Sequence, residues 1–196
     1  TSADGLSGDY IRTVIEDRQG RLWIGSAQGL DRMDADGRVV PQRLERSAQR
    51  KGRVSVLSMV LADDGAIWVG TFADGVIRIA PDGQLRHFDQ VQRLSSGNVR
   101  ALVQDRDGVI WAGTQGGLLR IDGEQVSRAD TAGLPQELVT ALGEHQGQLW
   151  VGSTEGVRIV GKNRVQRLPL NEMGGARSVF GLQAVGQAMW ICTDRG

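Results

Sequence analysis

The chain has 196 residues with 23 basic and 23 acidic side chains, a formal net charge of zero. That balance offers no general attraction to phosphate backbones, so nucleic acid is excluded as an expected partner. One cysteine, Cys192, excludes an intramolecular disulfide, and no apolar run approaches the ~20 residues of a membrane span.

In chain order the sequence repeats itself. The five tryptophans stand in one recurring frame: Leu22-Trp23-Ile24-Gly25-Ser26, Ile67-Trp68-Val69-Gly70-Thr71, Ile110-Trp111-Ala112-Gly113-Thr114, Leu149-Trp150-Val151-Gly152-Ser153 and Met189-Trp190-Ile191-Cys192-Thr193. Their spacings are 45, 43, 39 and 40 residues, the length of one four-stranded propeller blade. A β-rich run precedes each tryptophan, at 11–15, 56–61, 99–104 and 138–142. Turn signals such as Asp64-Gly65 and Asp107-Gly108 join it to the tryptophan strand. A glycine turn (Gly29, Gly75, Gly117, Gly156) opens a third strand, shortened in the fourth unit to Val157-Arg158-Ile159. Asp36-Gly37, Asp82-Gly83 or Asp122-Gly123 then leads to a polar fourth strand.

These elements predict an all-β chain: a β-propeller fragment of four four-stranded blades at about 8–45, 54–90, 97–130 and 137–169, plus the first two strands of a fifth at 178–196. First strands are expected to be enclosed and fourth strands wet. Each tryptophan is expected to fill the space between blades. Gly25, Gly70, Gly113 and Gly152, two places on, are expected to leave room for a neighbouring group.

The pattern V-x-x-I-x-x-D-x-x-G-x-L-W-x-G-T-x-x-G-L-x-R resembles the two-component regulator propeller repeat. The third unit carries it most fully, in Val99, Leu102, Asp105, Gly108, Ile110-Trp111-Ala112-Gly113-Thr114 and Gly117-Leu118-Leu119-Arg120. The first follows with Ile11, Val14, Asp17, Gly20, Leu22-Trp23-Ile24-Gly25-Ser26, Gly29-Leu30 and Arg32. Ala62, Glu144 and Ala184 depart from it at the Asp position, and Cys192 at the Gly. The resemblance implies the periplasmic sensor region of a bacterial receptor, with a hybrid histidine kinase or a diguanylate cyclase as output. Small-molecule or oligosaccharide ligands come with that implication. The membrane is expected to be met only through parts of the protein beyond this sequence, and with repeat sequence following Thr1 at once no signal peptide is expected within it.

No catalytic or metal-binding constellation and no cofactor motif is read here. His87 and His145 are expected to be surface residues, and Asp17, Asp63, Asp64, Asp105 and Asp107 to accept hydrogen bonds from turn amides. Arg32, Arg78 and Arg120 recur on third strands and are expected to meet a neighbouring blade or solvent. Function is expected where the repeats differ. Two loop sets share one face: the fourth-to-first-strand connections, with a basic stretch from Arg46 through Arg53, and the turns after the tryptophan strand. From these, Phe72, Asp74, Gln115, Glu155 and Arg53 are the candidate ligand contacts. The reading is a non-catalytic binding module. The alternatives are a propeller enzyme of streptogramin-lyase type, which would need histidines and acids around a metal, or an interaction scaffold. Open blade ends are expected to drive self-association.

Overall fold

The computed structural model describes residues 1–44, 52–88, 97–129, 133–161, 164–169, 174–176 and 178–195. Among them the regular structure is eighteen β-strands and one 3-10 turn at Ser2–Asp4. The chain is all-β, a β-propeller fragment of four four-stranded antiparallel blades and one strand pair. It divides into two compact units, 1–99 and 100–196.

The first unit holds β1 (Ile11–Glu16), β2 (Leu22–Ser26), β3 (Gly29–Met33) and β4 (Val39–Gln42) as blade 1. Blade 2 is β5 (Val56–Leu61), β6 (Ile67–Thr71), β7 (Val76–Ile79) and β8 (Leu85–Phe88). Each blade is a meander in chain order. Trp23, Leu30, Val56, Met59, Val69 and Ile77 form one buried cluster across the two blades. In the second unit β9 (Val99–Gln104), whose first residue belongs to the first unit, β10 (Ile110–Thr114), β11 (Gly117–Asp122) and β12 (Gln125–Arg128) make blade 3. Blade 4 is β13 (Val139–His145), β14 (Gln148–Ser153), β15 (Gly156–Val160) and β16 (Val165–Pro169). β17 (Val179–Val185) and β18 (Ala188–Thr193) form the strand pair. The third strand of blade 4 is not shortened: β15 runs five residues, as β3 does, because Gly156 and Val160 complete its ladder.

The hairpin between first and second strands repeats in blades 1 to 3, while blade 4 turns tighter, with His145 opposite Gln148. In blade 1 the Asp17 amide donates to Arg21 O at 2.9 Å and the Gly20 amide to Asp17 O at 3.0 Å; Ala62, Gly65 and Ala66, then Asp105, Gly108 and Val109, do the same. Gly20, Gly65 and Gly108 sit at φ of 73°, 81° and 83°, a left-handed position that glycine fills without steric cost.

The tryptophan-strand glycines are close-approach positions. A Cβ on Gly25 would lie 2.5 Å from Val56 Cγ1, one on Gly70 2.8 Å from Val99 Cγ1, one on Gly113 2.5 Å from Val139 Cγ1 and one on Gly152 2.8 Å from Val179 Cγ1. The first strand of each following blade thus seats a valine over the glycine before it. In three cases a register shift in the ladder follows that valine directly, between Val56 and Ser58, Val139 and Ala141, and Val179 and Gly181.

Enclosure of the first strands is uneven. β5, β9 and β13 are largely buried, while β1 alternates exposed and half-buried residues and β17 exposes Phe180 and Val185. Within its unit β1 packs against β5, while β13 packs against both β10 and β17.

Candidate functional site

The tryptophans are held differently from blade to blade. In blade 1 the buried Asp17 carboxylate accepts the Trp23 Nε1–H at 2.8 Å, the Arg21 Nε–H at 2.7 Å and the amides of Gln19 and Arg21. Burial raises the Asp17 pKa, but the hydrogen bonds from Trp23, Arg21 and Gln19 outweigh it and hold the carboxyl below its ordinary range. Blade 3 repeats the latch, with Trp111 Nε1 donating to Asp105 at 2.6 Å and the Asp107 and Val109 amides at 3.0 Å. Blade 2 has Ala62 there. Its Trp68 ring lies 5.0 Å from Phe88, with the Arg78 guanidinium 6.0 Å above it. In blade 4 the ladder puts His145, opposite Gln148, in the place of Asp17, while Glu144 accepts the Gly147 amide and pairs with Arg106; Trp150 Nε1 is buried with no acceptor among the described residues. Trp190 is 67% exposed, with no described blade over its ring.

The turns after the tryptophan strands are built around one hydroxyl. Ser26, Thr71, Thr114 and Ser153 are fully buried. Each donates to the carbonyl of Gly29, Gly75, Gly117 or Gly156 and accepts an amide from within the turn, those of Gln28, Asp74, Gly116 and Glu155. The hydroxyl fixes the turn and leaves the intervening side chains to vary.

Among the candidate contacts, Phe72 is 52% exposed on its turn, but Asp74 on the same turn is only 2% exposed. The Asp74 amide donates to the Thr71 hydroxyl at 2.8 Å. Gln115 is exposed at the tip between β10 and β11. Glu155 accepts from Arg158 Nη2 at 2.7 Å and faces Arg167 at 3.5 Å. The third-strand arginines pair inside their own blades rather than across to a neighbour, Arg32 with Asp34, Arg78 with Asp64 and Arg120 with Asp122, because the hairpins place an acid beside each. Of the basic stretch, 46–51 lie outside the described residues; Arg53 is exposed and donates to Ser7 O at 2.8 Å.

Among the described residues, two cavities open between blades 1 and 2. One of about 140 Å³ has a floor of Trp23, Ile67, Ile79 and Leu85, and its Arg21 and Arg32 are paired with Asp17 and Asp34. The other, about 370 Å³, lies on the loop face. Ser7, Gln28, Gln42, Arg43 and Arg53 line it with Leu30, Pro41, Leu44 and Val54.

Residues 5–28 and 93–116 match the family model described as two component regulator propeller. Each of these two segments carries the two component regulator propeller repeat. The fold of the chain is shared with the extracellular domains of two B. thetaiotaomicron proteins described as hybrid two component systems. One is 20% identical with a TM-score of 0.74 over 92% of this chain, the other 19% identical with 0.79 over 95%. This chain spans 26% of the length of each. It is also similar to a streptogramin B lyase, 16% identical with a TM-score of 0.76, covering 93% of this chain and 62% of the lyase. No curated protein matches the sequence.

Around the larger cavity, sequence reasoning did not single out Ser7, Gln42 and Arg43, nor Asp31 behind Ser7. Asp31 is wholly buried, where blades 2 and 3 place Ile77 and Leu119 opposite the residue after the tryptophan. It accepts the Ser7 amide at 2.8 Å and the Ser7 hydroxyl at 2.7 Å. A charged residue in an apolar slot of the frame was the one signal available. Among the described residues no group of three or more His, Cys, Asp or Glu is placed to hold a metal, and no helix is long and apolar enough to cross a membrane.

Proposed function

We propose that this chain is part of the ligand-sensing propeller of a bacterial transmembrane signalling receptor, acting by binding rather than catalysis on the periplasmic side of the inner membrane. The observation that carries the reading is the pairing of regulator repeats with a fold shared by extracellular domains described as parts of hybrid two component systems. The blade frame supports it: buried hydroxyls and seated valines hold the scaffold constant while the turn side chains change from blade to blade. Binding on that face would favour one packing of the propeller over another, and the difference in affinity sets the size of the response.

The test is an alkaline phosphatase fusion after residue 196 in the natural reading frame. Phosphatase activity in cells supports an extracytoplasmic location, and an inactive but stable fusion sinks it. The likeness to streptogramin B lyase favours a second reading, a propeller enzyme. Chromatographic loss of a streptogramin B substrate on incubation with the chain and a divalent cation would bring that reading forward.

A further inference from the structure

We propose that the 370 Å³ cavity between blades 1 and 2 binds a hydroxylated carboxylate, with Arg43 and Arg53 on the carboxylate and Gln28 and Gln42 on the hydroxyls. The inference rests on the sensing role above and names the ligand chemistry of one site in it. The described lining holds two guanidinium groups and no carboxylate, so its local charge is positive although the chain as a whole is neutral. Arg43 has no ion pair among the described residues. Arg53 spends one donor on Ser7 O and keeps the rest of its fork. The smaller cavity of the same blade pair shares Arg43 with this one, and its other two arginines, Arg21 and Arg32, are already paired with aspartates.

The wall is fixed before a ligand arrives. The buried Asp31 carboxylate takes both donors of Ser7, and Ser7 O in turn anchors Arg53, so a chain of hydrogen bonds sets the guanidinium in place. Gln42 Nε2 donates to Val40 O at 2.8 Å, which leaves its Oε1 to accept from a hydroxyl. The volume falls in the range of small-ligand sites. No aromatic ring stands among the described lining residues, so recognition is by charge and hydrogen bond rather than by ring stacking.

The experiment is calorimetric titration of the chain at low ionic strength with glucuronate, gluconate and citrate, and with glucose as the uncharged control. At least one of the three acids is expected to bind and glucose is not. Arg43→Gln and Arg53→Gln should each weaken that binding about tenfold or more. Arg53→Lys should recover part of it, and Arg38→Gln, an exposed cation on the β3–β4 hairpin, should leave it unchanged. Unchanged melting temperatures show that the variants fold. No heat with any acid, or binding untouched by both arginine variants, overturns the site. Sulfate competing as well as the best acid overturns the role of Gln28 and Gln42. A neutral ligand that binds equally to both variants overturns this site and leaves the sensing role standing.

Discussion

Val139 occupies the space that a side chain on Gly113 would need, its Cγ1 only 2.5 Å from where that Cβ would stand. Ala101 Cβ closes the pocket at 3.4 Å, so the strain has little room to relax. Gly113→Ala is expected to destabilise the protein by about 1–3 kcal/mol through overpacking. Gly161→Ala, where the nearest atom is 3.6 Å away, should be nearly neutral. Adding Val139→Ala to Gly113→Ala should recover part of the loss, a coupling that denaturant unfolding of the four proteins measures directly.

The Asp17 latch predicts an acid response. Its carboxyl is held below the ordinary value of 3.8, so the folded state binds its proton less readily than the unfolded chain does. The associated stability is present above the unfolded value and lost as pH falls through the lower folded one. Asp64 is shifted the same way: burial opposes, and the Arg78 hydrogen bond and the Ala66 amide prevail. Asp17→Asn is therefore expected to flatten the loss of stability below about pH 4. Thermal melts from pH 7 to pH 2 check it, and an unchanged acid limb would show the latch to be electrostatically idle.

Blade 4 lacks the latch that blades 1 and 3 share, and its tryptophan carries an orphaned buried donor. The register places His145, opposite Gln148, where blade 1 has Asp17 opposite Arg21, and Glu144 one position earlier, opposite Leu149. His145→Asp offers Trp150 Nε1 an acceptor from that position and should stabilise by about 1 kcal/mol. An unchanged or lower midpoint in denaturant would mean that the shorter hairpin holds the carboxylate away from Trp150 Nε1.

Five tryptophans in one frame are not five equal fillers. Trp23→Ala, in the blade 1–2 core, is expected to cost about 3–5 kcal/mol. Trp190→Ala should stay within about 0.5 kcal/mol, because its ring is largely in water. Urea melts of the two variants separate these outcomes.

These contrasts show what the residues disclosed by themselves. Strand order, hairpins and the seating glycines were legible because each depends on neighbours a few positions away: Asp-Gly pairs for the turns, a glycine two places past each tryptophan for the close approach. The burial of Asp74 and the pairing of Glu155 with Arg158 were not legible, because both depend on backbone direction and on partners outside the turn. The cavity was hidden for another reason. Ser7 and Asp31 are 24 residues apart and Ser7 and Arg53 are 46 apart, and only the packing of blade on blade brings them together.

The valine–glycine seat has one more consequence. Because each seat joins the second strand of one blade to the first strand of the next, a segment one period long carries a socket and a plug of its own. Copying or deleting such a segment leaves compatible joints on either side. The array can therefore change its number of blades by recombination without a new interface having to be invented, and each added copy brings a fresh turn on which a new specificity can be written.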